Sequence, residues 1–561
     1  MNIYEHIRLH YEQNLARLRE AAETEIDLPL PPLTEVKFNL YAQTGNRLIY
    51  EKDYFTRRRS LVLYGLSSLI DHKHNHLQRL EDIIRCICEE ETWALPAHVK
   101  RDTDRDWRRT VDLFASETAQ ALAEITTLLK DDLSEETQVI VRDNVTFRVL
   151  DPFFNKKPPY SWWEKGANNW NAVCCSCIGS AALHLEYALP VSDRITRILE
   201  SLKYYIASFP EDGACLEGLA YFSYGMGYYV AFARQLKEAA QGSIDLFRNE
   251  QIARIASYQS HAYFSNNCAV PFSDSDPHEK FRPGLSCFLS TQYDEAFIPP
   301  FESAAFWDTD FNYRWATAFR DVAWTEEWLR TKDNSIMFSL RDSYKQYTYT
   351  ASQQVLIHDE RNGIFLGIKG GHNGEPHNHN DVGSFFLIAN GEILLEDLGF
   401  GEYTKDYFAP ATRYNQLNTR SSGHNIPLLD GEEQVPDKAA TCSSFTTQSS
   451  RITMEIGKAY GENKTLKREI AYNKEKGQLT IRDASPQEIT ENLITRIKPT
   501  LTDKGITLKG EKSHCQITFF PASPQPHVIS ETYIDHYGTQ QTAYRILHNS
   551  GTFATITIKT R

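Results

Sequence analysis

The sequence predicts a segregated α+β protein, an all-helical part over residues 1–335 followed by an antiparallel β-sheet domain over 336–561, and three observations carry this reading. Apolar residues in the first part recur at three- and four-residue spacing, the period of one helix face. Beyond that they gather into short runs separated by turn signals. The 561 residues also exceed what one hydrophobic core organises, since domains run to roughly 100 to 200 residues.

In the segment 111–129, Val111, Phe114, Ala121, Ile125 and Leu128 form one stripe, with Thr118 its one polar member. Similar stripes lie near 59–72, 76–90, 170–188, 193–208, 216–236 and 246–262, broken by Pro158-Pro159 and Pro210. This is a run of helical hairpins. Nothing repeats at a fixed length, which argues against a regular solenoid.

The strand candidates begin with Gln354 to Ile357, Ile364 to Ile368, Phe385 to Ile388 and Ile393 to Leu395, separated by Arg361-Asn362-Gly363 and Asn390-Gly391. Both separators are turn chemistry for hairpins. Leu479 to Ile481, Gln516 to Phe520, Tyr544 to Leu547 and Thr552 to Ile558 continue the pattern, so one antiparallel domain of many strands is expected.

Composition is that of a globular chain, 41% hydrophobic and 24% charged. The aromatic share of 12% leaves rings that could stack on sugars, although most belong in the core. A net charge of -14 argues against nucleic acid or an anionic membrane as partner. Arg57-Arg58-Arg59 and Arg105 to Arg109 read as solvated helix faces. Ten cysteines are sparse at this length, and Cys174, Cys175 and Cys177 are too crowded for an extracellular framework. Reduced, buried thiols are expected, and a zinc-thiolate site with Cys86 and Cys88 is not. No charged segment followed by an apolar core opens the chain, and no run approaches the roughly 18 apolar residues of a membrane span. As written it is expected to be cytoplasmic, or periplasmic or secreted if a leader has been removed.

The richest chemistry lies in His377-Asn378-His379-Asn380-Asp381-Val382-Gly383-Ser384-Phe385. In a strand, His377, His379 and Asp381 would share a face, and imidazole with carboxylate suits a divalent metal. Asp397 and His424 are further candidates downstream. A solvated loop beside a strand would also give this pattern. Upstream, Glu217, Tyr221 and Tyr224 are spaced to lie on one helix face.

Several segments then recur in one order: Trp93 to His98, Asn168 to Cys174, Asp212-Gly213 through Glu217-Gly218 to Tyr221 and Tyr224, Pro376 to Phe385, and Arg420 to Asn425. Together they resemble the heparinase II/III-like polysaccharide lyases. The resemblance implies an incomplete (α/α) toroid before a β-sandwich-like domain, and β-elimination on uronic-acid-containing glycans of glycosaminoglycan or alginate type. Tyr221 matches the catalytic tyrosine, with Tyr224 as the alternative, and Asn169 matches the asparagine that neutralises the substrate carboxylate. His377 matches a cleft-facing histidine and His379 a metal ligand, a split that strand alternation forbids, so Pro376 to Asn380 is expected to be a turn entering the strand. Asp397 and His424 match the other ligands of one divalent metal, expected to be zinc and mainly structural. Trp170, Glu217, Tyr224, His98 and Arg413 are the substrate-binding candidates. Trp170 stands where many relatives carry a second histidine base, which favours Tyr221 making both proton transfers with help from His377.

Two other classes compete. A toroid glycoside hydrolase could use Asp212 with Glu217 as its carboxylate pair, and a non-catalytic glycan-binding relative would keep the fold without turnover. For a lyase with this charge and no export signal, the expected substrates are short uronate-containing oligosaccharides released exolytically. The oligomeric state is not legible.

Overall fold

Helix starts follow their caps. Asp112 accepts from Ala115 N (2.8 Å), Ser134 from Thr137 N (3.3 Å) and Ser192 from Ile195 N (3.4 Å), each satisfying an amide that the first turn leaves without a partner. The structure, a computed structural model, describes residues 3–332 and 344–560. The expected division at 335/336 lies outside the described residues.

The helices are α1 Ile3–Thr24, α2 Glu35–Thr44, α3 Leu48–Asp71, α4 His74–Cys88, α5 Leu113–Leu128, α6 Glu135–Val145, α7 Asp151–Phe154, α8 Asn169–His184, α9 Asp193–Ile206, α10 Leu219–Ala239, α11 Glu250–His261, α12 Pro283–Gln292 and α13 Trp315–Thr331. Neighbours pair as hairpins, α3 with α4, α8 with α9 and α12 with α13, and α5 packs on both α6 and α8. Helix α13 returns to α1, α3 and α5, joining the end of the helical run to its beginning as a ring requires. A buried clasp holds that return: Arg320 Nη2 meets Glu124 Oε1 at 2.8 Å, and Trp315 Nε1 donates to Glu124 Oε2 at 2.9 Å. Among the described residues no helix is long and apolar enough to cross a membrane.

The Arg57-Arg58-Arg59 run corrects its expectation of a solvated face. Arg57 and Arg58 are buried and both grip Glu90, Arg58 through both carboxylate oxygens at 2.9 and 2.8 Å, because a buried acid beyond α4 needs cations that spacing alone cannot reveal. The cysteines are free thiols, and burial pushes that of Cys175 up to about 12.

The chain divides into two compact units. One takes residues to Phe209, Tyr221–Ala256 and the chain from Lys280, and the other takes Pro210–Ala220, Ser257–Glu279 and the residues from 344 onward. The two borrowed segments are tied by polar contacts within the second unit. Ser352 N donates to Asp212 at 2.8 Å, and His261 O lies 2.8 Å from His358 Nε2.

Within the second unit, the small hairpin β1 Tyr263–Phe264 and β2 Cys268–Ala269 precedes a five-stranded antiparallel meander. Its strands are β3 Tyr344–Tyr349, β4 Gln354–Asp359, β5 Ile364–Lys369, β6 Phe385–Ala389 and β7 Glu392–Leu395. A ten-stranded sheet follows, built from β8 Leu428–Leu429, β9 Ser444–Gln448, β10 Arg451–Glu455, β11 Lys467–Asn473, β12 Gln478–Thr495, β13 Thr500–Thr502, β14 Gly505–Lys509, β15 His514–Phe520, β16 His527–Ile534 and β17 Gln540–Thr560. Its main path runs β13-β14-β15-β17-β12-β11-β10-β9. The expected strands at 544–547 and 552–558 are one long strand, β17, paired along β12 with a register shift at Ile489. Ile357, Leu366 and Phe385 of the meander share one buried core with Ile452, Ile481 and Ile556 of the larger sheet, so the two sheets pack face to face.

Candidate active site

In the second unit the histidine motif is held by three local devices. Arg468, fully buried, donates from Nη1 to Gly383 O (3.0 Å) and Asn425 O (2.8 Å) while Nη2 grips Asp483 at 2.7 Å. Asn425 Nδ2 donates to Phe385 O (2.8 Å) and Glu396 O (2.7 Å). At Gly423 a Cβ would stand 1.9 Å from Leu417 O, so only glycine lets the chain pass there before His424.

Strand β6 starts at Phe385, and His377 has φ 53°, so the motif is a turn. The turn sends its side chains different ways, and the strand-alternation reading of the triplet is corrected. Asp381 turns to a buried Lys369, whose Nζ lies 2.9 and 3.1 Å from its oxygens.

Both histidines reach one carboxylate that the sequence did not point to, Asp274, fully buried. His377 Nδ1 is 2.7 Å from Oδ2, and Tyr403 donates to the same oxygen at 3.0 Å. His379 Nε2 is 3.1 Å from Oδ1, which also accepts from Tyr407 at 2.6 Å and from Arg413 Nη2 at 3.4 Å. Burial works to raise this carboxyl, but the His377 and His379 hydrogen bonds and the Arg413 charge hold it well below the usual carboxylate range. Arg413 also donates to Asn378 O at 3.0 and 3.3 Å and to Tyr407 O at 3.3 Å. Its guanidinium is thus committed to holding this turn.

His379, Asp397 and His424 converge: one ligand atom from each lies within 4.8 Å of the others, and all three residues are buried. Among the described residues His379 Nδ1, Asp397 Oδ2 and His424 Nδ1 find no hydrogen-bond partner. The opposite atoms are anchored, His379 Nε2 to Asp274, His424 Nε2 to Asn418 O at 3.1 Å, and Asp397 Oδ1 to Gly399 N at 3.1 Å. His424 Nδ1 faces Asp397 Oδ2 at 3.4 Å. Burial keeps His379 below its ordinary pKa, whereas at His424 the Asp397 carboxylate outweighs burial and raises it. Three buried lone pairs aimed together call for protons or a cation, and two imidazoles with a carboxylate fit a divalent metal.

In the first unit, Asn168 caps α8 by accepting from Trp170 N at 3.1 Å, which places Asn169, buried, and Trp170, half-buried, in the first turn. The His98 ring lies 4.7 Å from that of Trp170, and its Nδ1 is 2.6 Å from buried Asp112. The ring of Trp162, 58% exposed, lies 5.2 Å from that of Trp170. On α10, Tyr221 is half-buried, whereas the Tyr224 phenol donates to Glu117 and its ring carries the Arg314 guanidinium at 4.0 Å. Burial, and then the Glu117 charge, push the Tyr224 hydroxyl well above an ordinary phenol.

Glu217 is a correction. It was expected on one helix face with Tyr221 and Tyr224, but α10 begins at Leu219, and Gly218 has φ 105°, a backbone no helix contains. Glu217 instead lies, buried, in the segment of the second unit that also holds Asp212. Asp212 accepts from the backbone N and the hydroxyl of Ser352 at 2.8 and 3.2 Å.

No family model and no curated protein matches the sequence. Solved structures do. A heparinase III crystal structure superposes with a TM-score of 0.61 at 14% identity, covering 99% of this chain and 91% of its own. The heparan sulfate lyase HepC from Pedobacter heparinus gives 0.54 at 12% identity over 98% and 87% of the two chains. A Streptomyces coelicolor A3 chondroitin AC lyase, solved with chondroitin sulphate, gives 0.53 at 11% identity over 98% and 82%. The chain has the heparinase III fold. At these identities the likeness concerns architecture alone.

Within the heparinase III fold, sequence reasoning missed Asp274, Tyr403, Tyr407 and Asp112. Asp274 lies in Phe272-Ser273-Asp274-Ser275-Asp276-Pro277, which reads as an ordinary polar turn. Its partners are 103 and 105 residues away, a pairing no local pattern carries. Asp112 had a signal, as a cap residue before an apolar stripe, but nothing pointed from it to His98.

Proposed function

We propose that this protein is a polysaccharide or oligosaccharide lyase that cleaves uronic-acid-containing glycans by β-elimination. The observation that carries the reading is His377, whose Nδ1 is held at 2.7 Å by the buried carboxylate of Asp274, in a fold shared with solved glycosaminoglycan lyases. Donation from Nδ1 makes Nε2 the lone-pair nitrogen, which is what a proton-accepting or orienting imidazole needs.

In the reaction the C5 proton of the uronate leaves, its electron pair forms the C4–C5 double bond, and the glycosidic oxygen departs from C4 with the bonding pair. Asn169 donates to the carboxylate as charge builds there, a contribution of about 3 to 4 kcal/mol for comparable oxyanion donors. Tyr221 takes the C5 proton and protonates the departing oxygen. A phenol of ordinary pKa near 10 suits the acid role. Tyr224 is not available for either, because Glu117 already accepts its proton. Trp170, beside exposed Trp162, offers a ring face for a sugar. One divalent cation, zinc by the ligand chemistry, would be held by His379, Asp397 and His424, and when bound it would pin the 421–425 segment near the end of β7.

A hydrolase built on Asp212 and Glu217 has less support, since Asp212 is committed to Ser352. The test is a panel of heparan, chondroitin, hyaluronan and alginate oligosaccharides read by ultraviolet absorbance and product mass. Unsaturated products support the lyase, saturated products a hydrolase, and binding without turnover a glycan-binding relative.

A further inference from the structure

Asp274 is reached by five donors from three stretches of the second unit's chain, 377–379, 403–407 and Arg413, yet nothing in the reaction requires it to meet substrate. Its position is fixed by a turn in which Ser273 has φ 61° and donates from its hydroxyl to Leu216 O at 3.0 Å. Arg413, Tyr403 and Tyr407 can only donate to it, and the two imidazoles meet it through opposite ring nitrogens, Nδ1 of His377 and Nε2 of His379. A neutral imidazole has one N–H and one lone pair. Against an ionised carboxylate the N–H must be the nitrogen that faces it.

We propose that Asp274 is a positioning residue that sets the two histidines of the motif in opposite tautomers, Nδ1–H in His377 and Nε2–H in His379. The consequence follows from ring geometry. His379 is left with its lone pair on Nδ1, the atom that joins Asp397 and His424 in the buried cluster. His377 is left with its lone pair on Nε2, on the side of the ring away from Asp274. One carboxylate thereby gives neighbouring histidines different work, a ligand in one case and a proton-handling group in the other. Only an ionised acid can do this. A carboxylate offers about four lone-pair sites, whereas an amide replaces half of them with donors that would oppose the N–H of one ring.

The role of His377 in this inference rests on the proposed elimination; the role of His379 does not. The direct test is nuclear magnetic resonance of wild-type protein carrying heavy-nitrogen-labelled histidine, at alkaline pH, with assignments from His377→Gln and His379→Gln. The expected spectra show Nδ1–H in His377 and Nε2–H in His379, and addition of zinc moves the His379 Nδ1 resonance. The reverse tautomer in either ring overturns the proposal. The variant Asp274→Asn is expected to bind zinc about 10- to 100-fold more weakly, as loss of an outer-shell partner does elsewhere, and to lower kcat far more than it changes KM. Tyr403→Phe, which removes a donor but keeps the carboxylate, should retain wild-type zinc affinity. An Asp274→Asn protein with unchanged zinc affinity and kcat would contradict the proposal even if the wild type is a lyase. If the wild type eliminates no uronate, the proposed function falls while the tautomers and zinc affinity still decide this inference. Should Asp274→Asn not fold, the wild-type spectra decide alone.

Discussion

Tyr221 and Tyr224 stand three residues apart on α10, and the Tyr224 hydroxyl is committed to the carboxylate of Glu117. Tyr221→Phe removes only an oxygen, so turnover is expected to fall by roughly 10² to 10⁴, the range for a general acid or base, with a melting temperature close to wild type. Activity near wild type would remove Tyr221 from the reaction. Tyr224→Phe should do the opposite. It leaves buried Glu117 without its phenol donor, a loss of about 1 to 3 kcal/mol in unfolding free energy, with kcat little changed. Spacing could name both tyrosines but could not choose between them, because the choice depends on Glu117 and Arg314, 107 and 90 positions away. For the same reason His377 and His379 were legible as a pair, and Asp274, which holds both, was not.

At the scale of elements, periodicity located α4, α5, α8, α9, α10, α11 and the meander strands β4 to β7 to within a few residues, since a face buried by packing must repeat at the period of its element, but it entered α3 eleven residues late, named neither α1 nor α13, and caught only the first part of β12. The edge strands β9, β13 and β16 escaped it because they are largely exposed and lack an apolar run. Segments whose conformation is set by close approach escaped it as well. Gly423 is one such position: Gly423→Ala would drive a methyl into Leu417 O, displacing His424. Metal analysis and thermal melting should then show reduced zinc retention and stability, and a fully loaded, equally stable variant would contradict the assigned ligand set. A second element-scale prediction concerns α12 and α13. Asp321, buried on α13, accepts from Gly284 N at 3.0 Å while its Oδ2 faces Arg282 Nη1 at 3.7 Å. Burial pushes its pKa up to about 7 against the pull of Arg282. The folded chain therefore holds this proton more tightly than the unfolded one, so the group's stabilising contribution is complete below about pH 4 and is lost as pH rises to about 7. Asp321→Asn should leave stability unchanged near pH 4 and raise it near pH 8, by on the order of 2 to 4 kcal/mol. A mutant-minus-wild-type difference that does not vary with pH would contradict this.

Across the whole molecule, segregation of helices before strands was readable because it is written in the change of apolar period, and the described structure bears it out. The assignment of 210–220 and 257–279 to the second unit was not readable, since they run into the helix-like stripes at 216–236 and 246–262 and declare their allegiance only through contacts such as Asp212 with Ser352. Length of product distinguishes modes of action at this scale. Mono- or disaccharide from the first minutes of digestion of a defined polymer supports exolytic release from short ends, and a spread of intermediate lengths with a fast fall in viscosity supports internal cleavage. The central claim, that the bond is broken by elimination, is tested most directly by digesting a uronate oligosaccharide in heavy-oxygen water and weighing both new ends. Elimination adds no water, so the account predicts products whose masses sum to the substrate, one of them unsaturated, with no heavy oxygen incorporated. Products heavier by one water in total and carrying one heavy oxygen would show hydrolysis and would contradict it.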